Sequence, residues 1–401
     1  MDGGIPEISI KIIGVGGGGS NTLNMILPHV ANVSFAAINT DAKALELSRA
    51  SEKILIGRSL TRGASAGGDT KIGKAATLAD LDAIKSCVGG VDLLFICTCL
   101  GGGTGSAAAP IIAQTARDAG TKVIAFCTTP FELEGKQRQL IADTAFENMR
   151  KSCDAAIALP NELMLGDSQN INEALRDANR SVVAAISMIC EMLQRTGLMN
   201  IDFGNLKRLL GGNLKNSTLF AYAKAQGEKF AQHAVEEIVK CPMLQAKNVP
   251  QKAKRLLVSI RCGEDLPMNA LKAVLINVAS RFSDGNELAF GAIIEENFAG
   301  KIEICAIGVE EIPEEKPEPP APTQLELPPE IISPKPPKTR QKTRARTAKE
   351  RKLFDENQGN FDIQLNEQRG LFATSQPNIR NNEDLDIPTY LRKNIKLAVK
   401  K

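Results

Sequence analysis

Two glycine-rich loops constrain the fold of this chain most, because each lies between an apolar, strand-like run and a helix-like run. The first is GVGGGGSN at residues 14–21, and the second is GGGTGS at residues 101–106. Glycine lets a backbone approach an anion closely, and the amides at a helix N-terminus then bind phosphate. Two such loops can flank one phosphate chain at the carboxyl edge of a parallel sheet. The pattern therefore predicts an α/β nucleotide-binding fold.

Strand-like and helix-like runs alternate through the first part of the chain. The strand-like runs are ISIKIIGVG, VSFAAINTD, DLLFICTCL, TKVIAFCTTP and AAIALPN. This βαβα order is typical of a doubly wound, Rossmann-like parallel sheet. A long helix is predicted next, over about residues 171–197, and its apolar residues lie on more than one face. We expect such a helix to be buried on several sides.

A second, smaller α+β domain is predicted after this helix. We expect it to open with the helix AYAKAQGEKFAQHAVEEIVK and to contain three strands, AKRLLVSIRC, LAFGAIIEE and KIEICAIGV. The helix PMNALKAVLINVASRF lies between the first two strands. The predicted boundaries are 8–170 for the nucleotide-binding domain, 171–205 for the central helix with its following loop, and 206–311 for the α+β domain.

The composition changes after Val309. Residues 312–380 are rich in Pro and Glu and then in Lys and Arg, so we predict a disordered linker that cannot bury a core. Residues 381–401 regain apolar side chains in LDIPTYLRK, which suits a segment that folds on a partner. Its anchors would be Leu385, Ile387, Pro388, Tyr390 and Leu391. The basic runs suit anionic lipid or nucleic acid, or a solvated linker.

Composition argues against several functions. The nine cysteines contain no CxxC pair and the two histidines have no ligand spacing, so we expect reduced core cysteines in a cytosolic protein and no metal site. With no Trp and only two Tyr, a base-stacking platform for nucleic acid is not expected. No apolar run approaches ~20 residues, so the sequence predicts neither a signal peptide nor a membrane span.

The glycine spacing also resembles two common nucleotide-binding motifs. GVGGGG at 14–19 fits the dinucleotide fingerprint, and Asp41 lies near the spacing of a ribose-binding acid, so an NAD-linked oxidoreductase is an alternative from this window alone. GDTKIGK at 68–74 nearly matches a P-loop. It fails because Ala75 replaces the hydroxyl that binds Mg²⁺ and no strand precedes it.

A third interpretation explains both loops. GGGTGS after a buried strand resembles the signature of the tubulin/FtsZ superfamily. IIGVGGGGSN, AAINTDAKAL, TRGASAGGDTKIGKAA, TTPFELEGKQR, LPNELML and GLMNIDFGNLK resemble the FtsZ family in the same order. The terminal LDIPTYLRK resembles the short peptide with which that family docks membrane tethers and regulators. The resemblance covers about residues 8–310 and the tail peptide.

The resemblance implies GTP or GDP as ligand, with Mg²⁺ held mainly through the nucleotide and water. The residues that would hold the nucleotide are Gly17, Gly18, Gly102, Gly103, Thr104 and Gly105 at the phosphates, Gly67 and Gly68 at the γ-phosphate, Glu134 and Arg138 at the ribose, and Asn21, Asn161 and Asn179 at the guanine. Asn179 stands where many members carry Asp. An amide oxygen accepts the same hydrogen bonds without charge assistance, so guanine preference is expected to persist in weaker form. The alternative is a polar helix residue that faces water.

The stretch MNIDFGN at 199–205 resembles the loop that enters the nucleotide site of the next subunit in a filament. The resemblance implies that Asp202 polarises the attacking water, with Asn200 and Asn205 beside it. The usual pattern has two Asp three residues apart, whereas Asn205 replaces the second. An amide orients water but takes no proton, so we expect slow hydrolysis, or a scaffold with little or none. Asp202 can also cap the following helix.

The function implied by this resemblance is a GTPase that polymerises head to tail. Such filaments organise the bacterial division ring in the cytoplasm at the division site, and hydrolysis is switched on by assembly.

Overall fold

The structure is a computed structural model that describes residues 8–164, 171–194, 201–211, 216–247, 249–311, 379–380 and 383–384. The described residues up to Glu311 belong to one compact unit. A two-stranded hairpin, β11 (Ile379–Arg380) and β12 (Glu383–Asp384), belongs to a second unit. The anchors predicted in the tail peptide lie outside the described residues, as does Asn200.

The first domain is a six-stranded parallel sheet with the strand order β3-β2-β1-β4-β5-β6. The chain progresses outward from β1 in one direction and then from β4 in the other, so the order reverses between β1 and β4. The elements are β1 Ile10–Val15, α1 Gly16–Ile26, β2 Ser34–Asn39, α2 Ala42–Glu46, β3 Glu52–Leu55, α3 Arg58–Thr61, α4 Thr70–Ala79, α5 Leu81–Val88, β4 Leu93–Cys99, α6 Gly103–Asp118, β5 Lys122–Thr129, α7 Lys136–Ser152, β6 Ala155–Pro160 and α8 Asn161–Met164.

Helices cover both faces of this sheet, which explains why its strands are apolar throughout. In β1, Ile12 packs with α1 and Ile13 packs with α5 and α6, because successive side chains point to opposite faces. The predicted doubly wound sheet is confirmed. Five of the six strands were predicted, and the strand that was missed is β3. It is a four-residue edge strand that begins with the charged residues Glu52 and Lys53, so it lacks the long apolar run that marks the other strands.

The central helix, α9 (Ile171–Gln194), packs against the first domain at two points. In its first half Asn179 accepts a hydrogen bond from the hydroxyl of Thr22 in α1. At its end the amide of Gln194 donates to the carbonyl of Asn32, which lies before β2 at the amino edge. Most described side chains from residue 182 to 192 are buried, as its multi-faced apolar pattern predicts.

The second domain is a four-stranded mixed sheet with the order β7-β10-β8-β9. Strand β10 is antiparallel to β7 and β8, and β9 is parallel to β8. The elements are α10 Phe203–Leu209, β7 Asn216–Gln226, α11 Phe230–Val239, β8 Ala253–Cys262, α12 Met268–Phe282, β9 Ser283–Ile294 and β10 Lys301–Glu311. Together the two sheets and α9 give the α/β architecture with a smaller α+β domain that the sequence predicts.

One predicted element of this domain is wrong. Residues 221–226 belong to β7 instead of a helix, and the helix begins only at Phe230. The run is rich in helix-forming Ala and Lys, but all six of its residues pair with β10, as part of an eleven-residue ladder along β7. Ala221 and Ala223 are buried while Lys224 is exposed, which is the period of a strand. Tertiary pairing therefore overrides local helix propensity.

A buried polar cluster joins α9 to the second sheet. Arg261 of β8 is only 8% exposed, and its guanidinium donates to Glu191 of α9 at 3.0 Å and to Glu303 of β10 at 3.0 Å. Glu295 lies 3.6 Å from the same guanidinium. Burial alone would lower the pKa of Arg261, but the three carboxylates together raise it and keep the guanidinium charged.

No helix among the described residues combines the length and apolar character that crossing a membrane requires. The same residues contain no group of three or more His, Cys, Asp or Glu side chains arranged to bind a metal ion.

Candidate nucleotide site

The two glycine-rich loops meet where the strand order reverses. They follow β1 and β4, which are neighbours in the sheet. A Cβ added to Gly16 would lie 3.1 Å from the amide nitrogen of Gly105, and one added to Gly105 would lie 2.7 Å from the carbonyl oxygen of Cys99. Real Cβ atoms essentially never come as close as 2.7 Å, so this approach is open only to glycine.

The glycines lie mostly inside helices. Helix α1 begins at Gly16 and α6 begins at Gly103, so each helix starts earlier than its sequence pattern predicts. Predicted site residues Gly17, Gly18 and Asn21 therefore belong to α1. Gly103, Thr104 and Gly105 form the first turn of α6, after Gly102.

A third loop, between α3 and α4, packs against the second. A Cβ on Gly103 would lie 2.9 Å from both the nitrogen and the oxygen of Asp69. Gly67 and Gly68 precede Asp69 with φ values of +59° and +84°, a conformation that favours glycine. Their exposed backbone therefore lies beside the N-terminus of α6.

The helices at this edge fall into two classes by their N-terminal caps. Asp41 caps α2 by accepting from the amide of Ala44, and Asp69 caps α4 by accepting from the amide of Lys71. Helices α1, α3, α6 and α7 have no side-chain cap and no acidic residue in the first turn. Their N-terminal amides thus retain the capacity and the positive dipole end to bind an anion.

Four glycines of these loops open into free space. A Cβ added to Gly17, Gly67, Gly68 or Gly102 would meet no protein atom within 4 Å. Their backbone amides can therefore be approached closely by a ligand. The three loops together form a cradle of backbone donors at the carboxyl edge.

Asn39, the last residue of β2, and Thr40 complete this edge, and neither was assigned a role from the sequence. The hydroxyls of Thr40 and Thr104 are hydrogen-bonded at 2.6 Å, which ties the β2 end to α6. Asn39 is 3% exposed, and its side-chain nitrogen has no hydrogen-bond partner among the described residues. The sequence contained one signal that could have indicated these residues, which is the polar run NTD at the end of the strand that neighbours β1.

The segment predicted to hold the ribose lies beside the second loop. A Cβ on Gly101 would lie 3.1 Å from the carbonyl oxygen of Arg138. Glu134, before α7, and Arg138, in its first turn, form an ion pair, and Glu134 also accepts from the backbone amide of Phe131. The pair brings one negative and one positive group to the rim of the cradle.

Cys99 lies under the first loop. Among the nine cysteines it alone is not fully buried. A Cβ added to Gly18 would clash with its sulfur and lie 2.6 Å from its Cβ. Burial raises the pKa of the Cys99 thiol, a hydrogen bond with Thr128 opposes this, and the nearby carboxylate of Glu134 adds to it. Cys99 thus lies close to the first loop and to the end of β5.

The three predicted guanine residues differ in their surroundings. Asn21 is exposed on α1, and Asn161 begins α8 with a buried side-chain oxygen that has no partner among the described residues. Asn179 is half-buried, and its side-chain oxygen accepts from Thr22 at 2.9 Å. Asn179 is therefore engaged with α1 instead of facing water.

Asp202 and Asn205 form a side-chain network at the start of α10. Asp202 caps this helix, accepting from the backbone amide of Asn205 at 2.6 Å and from its side-chain nitrogen at 3.2 Å. The side-chain oxygen of Asn205 accepts from Arg208 at 3.0 Å. The capping role expected as an alternative for Asp202 is thus observed.

This network follows the far end of α9. Fifteen residues separate Asn179 from Gln194, or about 22 Å along a helix. Because Gln194 is anchored at the amino edge, Asp202 follows the end of α9 that points away from the glycine loops.

The surroundings fit a nucleoside triphosphate. The uncapped N-termini of α1 and α6 and the open glycine amides can bind phosphate. The ion pair of Glu134 and Arg138 can bind ribose hydroxyls. The buried side-chain oxygen of Asn161, which has no partner among the described residues, can accept a hydrogen bond from a base. Asp41, the acid of the dinucleotide alternative, is instead a helix cap.

Comparisons with known families and structures agree with this fit. The family model "Tubulin/FtsZ family, GTPase domain" matches residues 9–169, and "FtsZ family, C-terminal domain" matches residues 217–310. Cell division protein FtsZ 2 of Rhizobium meliloti is 34% identical over 307 residues, which cover 75% of this chain and 88% of that protein. The protein is thus of the class of tubulin-like GTP-binding proteins. Within that class, the chain belongs to the FtsZ family, as its motifs predict.

Solved structures show the same architecture. An empty FtsZ dimer of M. jannaschii matches with a TM-score of 0.69 and 30% identity, covering 76% of this chain and 88% of that one. CetZ2 of Haloferax volcanii, in a GTPγS-bound protofilament, matches with a TM-score of 0.62 and 20% identity, covering 76% and 94%. The second match shares the fold alone.

Proposed function

We propose that this protein binds GTP at the carboxyl edge of its first sheet, assembles head to tail into filaments and hydrolyses GTP slowly in the assembled state. The observation that carries the proposal is the contrast in helix caps. Helices α2 and α4 at this edge are capped by Asp, while α1 and α6 present unpaired amides to one space lined by open glycines. A chain of phosphates would accept hydrogen bonds from those amides.

In this proposal the chain's backbone does most of the binding. Amides at Gly17, Gly18, Gly102 and Gly103 hold the phosphates, and Gly67 and Gly68 approach the γ-phosphate. Mg²⁺ bound to the nucleotide would neutralise developing charge there. The remaining contacts are Thr104 and Gly105 at the phosphates, Glu134 and Arg138 at the ribose, and Asn21, Asn161 and Asn179 at the base.

Hydrolysis in this proposal needs a second subunit. Asp202 follows the end of α9 away from the glycine loops, so it is suited to reach the nucleotide of a neighbour in a head-to-tail stack. There its carboxylate would orient and polarise the attacking water. Asn205 orients Asp202 through its side-chain amide but adds no negative charge. One carboxylate in place of two gives slow turnover.

A second candidate is a nucleotide-binding scaffold with little or no hydrolysis. It is favoured by the hydrogen bonds that already occupy both oxygens of Asp202, one from the backbone and one from the side chain of Asn205. A carboxylate with both oxygens engaged polarises water less well.

Sedimentation with GTP or GDP, with phosphate release measured in parallel, separates these candidates. We expect GTP-dependent pelleting with phosphate release that rises steeply with protein concentration. Pelleting without release supports the scaffold. Absence of GTP binding refutes both.

The cellular role follows from family membership. We propose that the filaments organise the division ring in the cytoplasm. Membrane tethers and regulators would bind the tail through Leu385, Ile387, Pro388, Tyr390 and Leu391, which lie outside the described residues.

A further inference from the structure

A groove of about 780 Å³ lies on the outer surface of the first domain, between α4, α6 and α7. Three exposed lysines, Lys71, Lys74 and Lys151, line it, and no Asp or Glu does. None of the three makes an ion pair with another residue in the part of the chain that the structure describes. The residues that line the groove therefore carry three positive charges and no negative charge.

The floor of this groove is apolar. Pro110 and Ile111 of α6 and Leu140 and Ile141 of α7 contribute to it, and Leu140 is 62% exposed. An exposed apolar surface beside unbalanced charge is typical of a binding surface. The complementary ligand is an extended segment that carries both carboxylates and apolar rings.

The chain itself leaves the second domain close to this groove. The last strand, β10, ends at Glu311, and Glu310 is paired with Ser217 of β7. Ser217 lines a small cavity together with Phe146 and Arg150 of α7. Strand β10 thus ends beside α7.

The groove lies on a different face of α7. At 100° per residue, the mean direction of Phe146 and Arg150 lies about 140° from that of Leu140, Thr144 and Asn148, which line the groove. A helix is about 10–12 Å across. A segment that leaves Glu311 therefore has only the width of α7 to cross.

The next residues have the required chemistry. They read IPEEKPEPP at 312–320, with three glutamates and four prolines. Proline-rich segments adopt polyproline II, a preformed extended conformation used in peptide recognition, and they extend by about 3.1 Å per residue. Nine residues then reach about 28 Å, more than twice the width of α7.

We propose that residues 312–320 of this chain occupy the groove between α4, α6 and α7. Glu314, Glu315 and Glu318 pair with Lys71, Lys74 and Lys151, and the prolines cover the apolar floor. The groove also reaches Thr70 at the start of α4 and Ser106 in the first turn of α6. The docked segment therefore lies next to the third loop and α6, outside the nucleotide cradle.

Zero-length carbodiimide cross-linking of the full chain tests this placement. The reaction joins only amines and carboxylates in direct contact. The sample is monomeric protein with GDP, made as an equal mixture of isotopically light and heavy chains. We expect cross-links from the three groove lysines to residues 314–318, and we expect them within one chain. Exposed Lys272 and Lys301, which lie away from the groove, give the background frequency of cross-linking. Groove cross-links no more frequent than those of these two lysines, or cross-links that join light to heavy chains, would overturn the proposal.

A charge variant separates specific docking from general attraction. The variant replaces three carboxylates by amides, Glu314→Gln, Glu315→Gln and Glu318→Gln. At low salt, the acetylation rates of the three groove lysines should rise at least fivefold in this variant. The matched control is Glu326→Gln with Glu330→Gln, which alters the same chain beyond the docked segment and should leave the rates unchanged. Equal effects from both variants, or none from the first, contradict the docking. GTP affinity should match wild type in both, which shows that the fold and the nucleotide site are intact.

Discussion

The two halves of the proposed catalytic site are built by different means. The half at the carboxyl edge of the first sheet consists of backbone, with loops so closely packed that only glycine fits at Gly103 and Gly105. The half at the start of α10 consists of side chains, in which Asp202, Asn205 and Arg208 form one hydrogen-bonded chain. Binding therefore depends on shape at the first half, and catalysis depends on charge at the second.

This difference separates the effects of mutation. An added methyl group in the first half changes the geometry of several loops together, because each loop contacts another through backbone atoms. An isosteric change in the second half leaves the geometry intact and alters only charge.

The largest effect is expected from Asp202→Asn. We expect GTP turnover above the assembly threshold to fall at least about 100-fold, because an amide neither polarises water as a carboxylate does nor accepts a proton. Phosphate release by the pelleted polymer measures this. GTP binding should be unchanged, since Asp202 follows the far end of α9.

Asn is as good a helix cap as Asp, so this variant also separates catalysis from capping. Asp202→Ala removes both and should additionally lower the free energy of unfolding by about 1 kcal/mol. If Asp202→Asn turns over GTP as wild type does, Asp202 is only a cap.

The next largest effect is expected from Gly18→Ala. Its methyl group would clash with Cys99, and overpacking of this kind costs about 1–3 kcal/mol, or about 5–150-fold in GTP affinity. The double variant Gly18→Ala with Cys99→Gly removes the obstacle and should restore most of the affinity, as measured by titration with a fluorescent GTP analogue. Equal loss in the single and double variants would show that the clash is not the cause.

A smaller effect is expected from Asn161→Ala. The side-chain oxygen of Asn161 is buried without a partner among the described residues, so its removal should leave the stability of the nucleotide-free protein unchanged or slightly higher. GTP affinity should fall about fivefold, as expected for about 1 kcal/mol from one hydrogen bond. Thermal unfolding with and without GTP measures both. A loss of stability without nucleotide would refute the base-binding role.

The smallest effect is expected from Asn205→Asp, which restores a second carboxylate. Turnover should rise severalfold, because the added charge strengthens water polarisation. The hydrogen bond from Asn205 to Asp202 is lost, and two carboxylates then lie about 3 Å apart, so α10 should become slightly less stable. Arg208 already contacts residue 205 and offsets part of this repulsion. Unaltered or slower turnover would mean that Asn205 does not limit the rate.

Local patterns predicted much of this fold. Alternating apolar strands and glycine loops indicate the parallel sheet, and they succeed because strand burial and phosphate-loop geometry depend on adjacent residues. Residues 221–226 show the limit of such patterns. Their composition favours helix, but six residue pairs with β10, which lies about eighty residues further along the chain, make them a strand.

In the candidate site, too, local patterns predicted some residues and missed those whose position depends on tertiary contacts. Its glycines were predicted because no other residue permits such close backbone approach. Asn39 and Thr40 were not assigned, since their place at the edge depends on β2 lying beside β1. The engagement of Asn179 with Thr22 likewise requires α9 to cross α1.

The sequence by itself determined the class of fold, the backbone character of the phosphate cradle, and the replacement of a second acid by Asn205. Those properties depend on residue type and short-range spacing. Only the tertiary structure decided which helices are capped, that Asp202 follows the end of α9 directed away from the glycine loops, and that a lysine-lined groove lies beside the end of β10. Such properties depend on contacts between residues far apart in the chain, which local spacing does not specify.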